Sequence, residues 1–200
     1  MIQIIAILAA YLLGSIPTGL WVGKAFYNKD IREYGSKNLG ATNSFRVLGK
    51  KAGIVVTLVD ILKGTVAVLL PLLPIFNDFS LDPLFLGIAA ILGHIYPIFA
   101  GFRGGKAVAT SSGVLLGYTW PLFILLFVVF FLSLKISKMV SLTSMISATV
   151  AFIYGIVNYF ITGGWGLLIL TFFLWVFIMY KHRANVKRMK EGTEPKVTWI

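Results

Sequence analysis

An all-α, polytopic membrane protein with seven transmembrane helices is the fold class predicted by three features of the sequence. Of its 200 residues 58% are hydrophobic and only 12% charged, about half the roughly 25% charge of an average soluble domain. Mean hydropathy is +0.89. The apolar residues run in stretches long enough to cross a hydrocarbon core of about 30 Å, with the basic residues gathered in the gaps. A soluble globule, a disordered chain and a collagen-like fibre are thereby excluded. With no cysteine there is no disulfide framework, thiol nucleophile or Cys-based metal site. Lys and Arg number 18 against 7 Asp and Glu, a balance of +11. In a soluble chain that would suggest nucleic acid; here it reports basic cytoplasmic loops, and no nucleic-acid partner is expected.

The first apolar run covers 2–22. Gly14-Ser15-Ile16-Pro17 interrupts it and no small-residue cleavage site follows, so it is read as a retained span. Further runs lie at 54–75, 83–99, 114–134, 140–161 and 166–180. A seventh, shorter helix is predicted from Lys106 to Tyr118. Gly117-Tyr118-Thr119-Trp120-Pro121 reads as a turn, because Gly is permissive and Pro121 suits the first turn of a new helix.

The charge distribution requires that split. The first loop carries Lys24, Lys29, Arg32, Lys37, Arg46, Lys50 and Lys51, and the next basic sites are Arg103 with Lys106, then Lys135 with Lys138. The tail holds Lys181, Arg183, Lys187, Arg188, Lys190 and Lys196, whereas the turns at 77–82, 117–121 and 162–165 hold no basic residue. Seven spans put all the basic segments on one face; six would put the 135–138 loop and the tail on the wrong faces. The expectation is an outside amino terminus, a cytoplasmic carboxyl terminus and a single membrane-embedded domain over 1–200.

Topology and attraction to anionic lipid explain part of the basic excess. They do not explain the small polar residues around it. The first loop reads Gly35-Ser36-Lys37-Asn38-Leu39-Gly40-Ala41-Thr42-Asn43-Ser44-Phe45-Arg46. Glycines among Ser, Asn and Thr turn backbone N–H groups toward an anion, and Arg46 offers a bidentate fork for phosphate or carboxylate. An ordinary turn-rich loop has a similar composition, but the length of this run favours anion binding. In Phe102-Arg103-Gly104-Gly105-Lys106, the glycine pair before a helix start suits an oxyanion or phosphate cradle. It lacks P-loop spacing, and a Gly-rich turn beside a snorkelling Lys is the competing reading.

In the tail, a last helix continuing to Met189 would set His182 and Asn185 at i, i+3 on one face. A stop-transfer cluster would explain the charges but needs neither residue. Asp60 and Lys63, also at i, i+3, are close enough to pair inside the second span. Such a pair is costly unless it faces the protein interior or a water-filled cavity, and a clasp between helices and a catalytic role remain equally open. Ser141 and Ser144 line the same cytoplasmic cavity or cap their helix. His94 could serve as a base, but a lone His near Tyr96 and Pro97 is more often a packing residue. No G-x-S-x-G elbow, H-E-x-x-H helix, Asp-rich diphosphate motif, His-x4-Asp motif or metal-ligand spacing occurs, so no metal and no cofactor are expected. What remains is a small anionic substrate handled at the cytoplasmic interface.

These segments resemble the three signature regions of the bacterial acyl-phosphate:glycerol-3-phosphate acyltransferase family (PlsY type). The most specific parts are Gly35-Ser36-x-Asn38-x-Gly40-Ala41-Thr42-Asn43 with Arg46, and Gly104-Gly105-Lys106 before Ala109-Thr110. Asn185 with Arg188 and Gly192-Thr193-Glu194, Ser15-Ile16-Pro17-Thr18-Gly19, and Asp60-Ile61-Leu62-Lys63-Gly64 complete the likeness. Arg103, Ala107 and Met189 depart from the usual Lys, Gly and Leu.

The resemblance implies acyl transfer from acyl phosphate to the 1-hydroxyl of sn-glycerol 3-phosphate at the cytoplasmic face of the bacterial plasma membrane. The products would be 1-acyl-sn-glycerol 3-phosphate and inorganic phosphate, and the soluble acyl-phosphate-forming enzyme would be a peripheral partner. Catalytic roles are expected for Ser36, Arg46, Lys106, Ser144, His182 and Asn185. Substrate binding is expected for Asn38, Gly40, Thr42, Asn43, Lys63, Gly104, Gly105, Thr110 and Arg188. The base would be His182 or the substrate's own phosphate. Against this stand an anion or lipid transporter, and a passive lipid-surface scaffold that would leave the Gly/Asn/Ser motifs unexplained.

Overall fold

The computed structural model describes residues 1–197, and among these every regular element is helical. The chain groups into two compact units, Met1–Thr119 and Trp120–Ile200. The first holds α1 (Ile2–Gly14), α2 (Thr18–Tyr27), α3 (Ala41–Leu48), α4 (Lys50–Leu69), α5 (Leu84–Ile95) and α6 (Val108–Tyr118); the second holds α7 (Trp120–Ser137), α8 (Val140–Thr162), α9 (Trp165–Lys181) and α10 (Arg183–Lys190).

In the first unit, small residues bring the helices together. α1 buries Ala6, Ala10 and Gly14, one per turn, against α5. A Cβ on Gly14 would collide with the Ala90 carbonyl, and one on Gly93 would collide with the Tyr11 carbonyl. α4 and α6 repeat the device, Gly64 against the Thr110 carbonyl and Gly113 against that of Ile61. Close backbone approach through small residues is how helices associate where lipid removes the hydrophobic drive. The outward faces are correspondingly greasy, with Ile4, Leu8 and Leu12 on α1 and Leu58, Leu62 and Val66 on α4 all exposed.

Pro17 lacks an N–H and breaks the first apolar run, so α1 and α2 meet at a 43° bend. After α2 the polar loop is held by its own ion pair. Arg32 grips Asp30 from Nη2 (2.6 Å) and Nε (2.9 Å), and that bond holds the Asp30 carboxyl at about 2. The expected turn ahead of Pro121 is present: α6 ends at Tyr118 and α7 starts at Trp120.

In the second unit α7 fully buries only Leu122 and Leu134. α8 and α9 pack through Gly155, set against the Thr171 hydroxyl, and through Phe152, whose ring lies 5.5 Å from Trp175 and 5.6 Å from Phe172. The last helix does not run on to Met189: α9 and α10 meet at a 53° bend, with His182 between them and its backbone N–H shared by the Ile178 and Met179 carbonyls.

Among the described residues, α4 with its 3-10 continuation to Leu72, α7 and α8 are each long and apolar enough to cross a membrane. The bent pairs α1–α2 and α9–α10 qualify as pairs, while Leu84–Ala100 and α6 are shorter apolar helices.

Candidate active site

Within the first unit a buried ionic cluster joins four elements. Asp60 and Lys63 on α4 pair at 2.8 Å, with side chains 2% and 3% exposed. Thr18, at the start of α2, donates to Asp60 Oδ1 at 3.0 Å, and Lys63 Nζ also donates to the Ile16 carbonyl at 2.8 Å. That carbonyl lies in the Pro17 break, where it also accepts the Thr18 N–H at 3.0 Å. His94 on α5 sets Nδ1 3.8 Å from Asp60 Oδ1 and 3.1 Å from the hydroxyl of Thr110 on α6. The i, i+3 pairing is as the sequence predicts, and His94 joins the same cluster.

A small recess at this cluster is lined by Thr18, Leu39, Asp60, His94, Gly104 and Gly105 among others. The Gly104 and Gly105 amides donate to the carbonyls of Ile95 (3.2 Å) and His94 (3.1 Å). Both amides are thus used in the loop's own fold. Lys106 follows directly and is half-buried.

The first polar loop divides its residues by task. Asn43, 1% exposed, donates to the carbonyls of Ile31 (2.9 Å) and Tyr34 (3.2 Å) and accepts from the Ser36 amide at 2.9 Å. Its amide is therefore used in shaping the loop. Asn38 likewise accepts from the Gly40 N–H at 2.9 Å in a local turn. Ser36, Thr42 and Arg46 are exposed on the surface so formed.

In the second unit Glu194 is a hub. It accepts from Ser141 (2.5 Å), Asn185 (2.6 Å) and Arg188 (2.8 Å), with its own side chain 6% exposed. His182, 3% exposed, bonds the Ile178 carbonyl through Nδ1 at 2.8 Å. A carbonyl only accepts, so Nδ1 carries the proton and the basic lone pair of the neutral ring sits on Nε2. Ser144 is buried and donates to the Val140 carbonyl at 2.8 Å within its own helix.

Family membership follows from the whole length of this pattern. The model of the glycerol-3-phosphate acyltransferase family matches residues 4–192. The chain belongs to the glycerol-3-phosphate acyltransferase family. Curated glycerol-3-phosphate acyltransferases of Listeria monocytogenes are 55% identical over 196 residues, covering 96% of each chain. That of Bacillus subtilis is 52% identical over 200 residues and all of both chains. A solved structure, PlsY, an integral membrane glycerol 3-phosphate acyltransferase in its glycerol 3-phosphate form, superposes with a TM-score of 0.87. It is 34% identical and the match covers 98% of this chain and 96% of that one. The lysophosphatidic acid form gives 0.84 at 33% identity.

The acyltransferase's tail hub carries a pH signature. Burial alone would raise the Glu194 carboxyl, but the hydrogen bonds of Ser141, Asn185 and Arg188, with the Arg188 charge, outweigh it and hold it below the usual carboxylate range. The folded value being depressed, the stabilisation is present above the unfolded value and is lost as pH falls through the folded one. Amides at 185–194 should therefore exchange faster as pH drops below the ordinary carboxylate range, after correction for intrinsic exchange. Glu194→Gln should show that loosened tail already at neutral pH and lose the dependence, at a local cost of about 1–3 kcal/mol.

Proposed function

We propose that this acyltransferase moves a fatty acyl group from acyl phosphate to the 1-hydroxyl of sn-glycerol 3-phosphate, releasing inorganic phosphate. The chief support is the likeness, over 98% of the chain, to a family member solved in its glycerol 3-phosphate form. The chemistry agrees with it. An acyl phosphate is a mixed anhydride with a good leaving group, so positioning and charge neutralisation supply most of the rate and no metal is invoked.

In this reading Lys106 and Ser36 hold the departing phosphate, and Arg46, His182, Asn185 and Arg188 engage glycerol 3-phosphate. Ser144 and Lys63 serve near the reacting centre. Thr42 and Gly40 present the loop edge, while Asn38, Asn43, Gly104, Gly105 and Thr110 shape the backbone behind it. His182 Nε2 or the acceptor's own phosphate takes the hydroxyl proton. Donor choice is tested by offering palmitoyl phosphate and palmitoyl-coenzyme A separately to the purified protein. Product from the first alone is expected; product from the thioester alone would overturn the proposed donor.

The same proposal places one membrane-embedded domain across the bacterial plasma membrane seven times, through α1–α2, α4, α5, α6, α7, α8 and α9. The amino terminus lies outside, and the basic loops and tail lie in the cytoplasm, within reach of the soluble enzyme that makes acyl phosphate. The absence of cysteine makes the topology directly readable. In intact cells a membrane-impermeant maleimide should label Thr162→Cys, and Lys51→Cys only after permeabilisation. Labelling of both without permeabilisation would contradict seven crossings.

A further inference from the structure

We propose that His94 is a positioning residue: its imidazole and carbonyl are the seat of the Gly104–Gly105 turn, and through that seat it fixes where Lys106 stands. The inference rests on the reading in which Lys106 holds the departing phosphate.

Three observations meet at this one residue. The His94 carbonyl accepts the Gly105 amide at 3.1 Å, and its neighbour Ile95 accepts that of Gly104 at 3.2 Å. The ring lies so close to Gly105 that a Cβ there would overlap Nε2, and one on Gly104 would overlap the His94 carbonyl. The far side of the ring is fixed by Thr110 at 3.1 Å and faces Asp60 at 3.8 Å. Asp60 in turn is pinned by Lys63 and Thr18. The turn that presents Lys106 therefore rests on an imidazole whose orientation is set by groups from α2, α4 and α6.

This arrangement explains why two successive glycines precede Lys106 although their amides are already committed. Each lacks a Cβ because each lies against His94. It also gives the buried Asp60–Lys63 pair a task beyond holding helices together, since an ion pair bonded to the Pro17 break is a fixed reference for the ring. A displacement near 1 Å at a binding group costs on the order of 10²-fold in rate, so small motions of this seat matter.

The test is a double-mutant cycle on enzyme checked for folding by its melting transition in micelles, with kcat and KM read separately for palmitoyl phosphate. His94→Ala alone is expected to reduce kcat/KM about 10²-fold. In a Lys106→Ala background the same change is expected to cost little more, because its effect passes through Lys106. Gly105→Ala, which drives a methyl into the ring and leaves the imidazole's other contacts in place, should reproduce the loss. It also serves where His94→Ala does not fold. The His94→Ala/Gly105→Ala double should be less impaired than the product of the singles, the added methyl occupying space the ring vacates. Losses that multiply independently in both cycles would overturn the inference and leave the proposed function standing. Wild-type enzyme without glycerol 3-phosphate-dependent phosphate release would overturn both.

Discussion

Replacing Asp60 by Ala is expected to lower stability by about 3–5 kcal/mol, the cost of leaving a buried charge without its partner. Lys63 Nζ would keep its bond to the Ile16 carbonyl but lose the carboxylate 2.8 Å away, in a site where its side chain is 3% exposed. Thr18 would lose its acceptor and His94 its neighbour, so the damage reaches the α1–α2 break and α5 as well. Removing both charges should be milder than removing one. Asp60→Leu with Lys63→Met is expected to recover part of the melting temperature in micelles, because an apolar pair of similar volume replaces a buried ion pair at less cost than a lone charge. A single mutant as stable as the wild type would show that the pair is not sequestered as described.

The second large effect is on turnover. Lys106→Ala is expected to reduce the rate about 10²–10³-fold, the range for removing one group that stabilises developing charge, with the melting transition little changed. Lys106→Arg should keep part of the activity, since the charge remains but its placement differs. A folded Lys106→Ala enzyme with full turnover would remove Lys106 from the site.

Much of this architecture is legible in the sequence, and the limits have physical causes. The break between α6 and α7 is readable because two independent signals agree: Pro121 for local structure and the alternation of basic and uncharged turns for topology. The Asp60–Lys63 pair is readable from spacing alone, since i, i+3 residues share a helix face. The bend at His182 is not, because it depends on how that residue's N–H and ring meet the last carbonyls of α9. Nor are the neighbours of His94, since Asp60 and Thr110 come from other helices.

Gly104 and Gly105 illustrate a different limit. A glycine pair before a helix signals an anion cradle or a close approach, and the close approach to the ring and carbonyl of His94 emerges only on folding. Asn43 is the same case, its amide equally able to meet a phosphate or to satisfy the carbonyls of Ile31 and Tyr34. Glu194 shows what the family resemblance alone supplies: it marks the residue, while Ser141, 53 positions away in sequence, becomes its partner only through folding.

Phosphate release by the purified protein given palmitoyl phosphate, with and without glycerol 3-phosphate, tests the proposed reaction most directly. The expected result is release that requires glycerol 3-phosphate and matches 1-acyl-glycerol 3-phosphate one for one. Release that ignores the acceptor, or a folded enzyme that releases none, would contradict it.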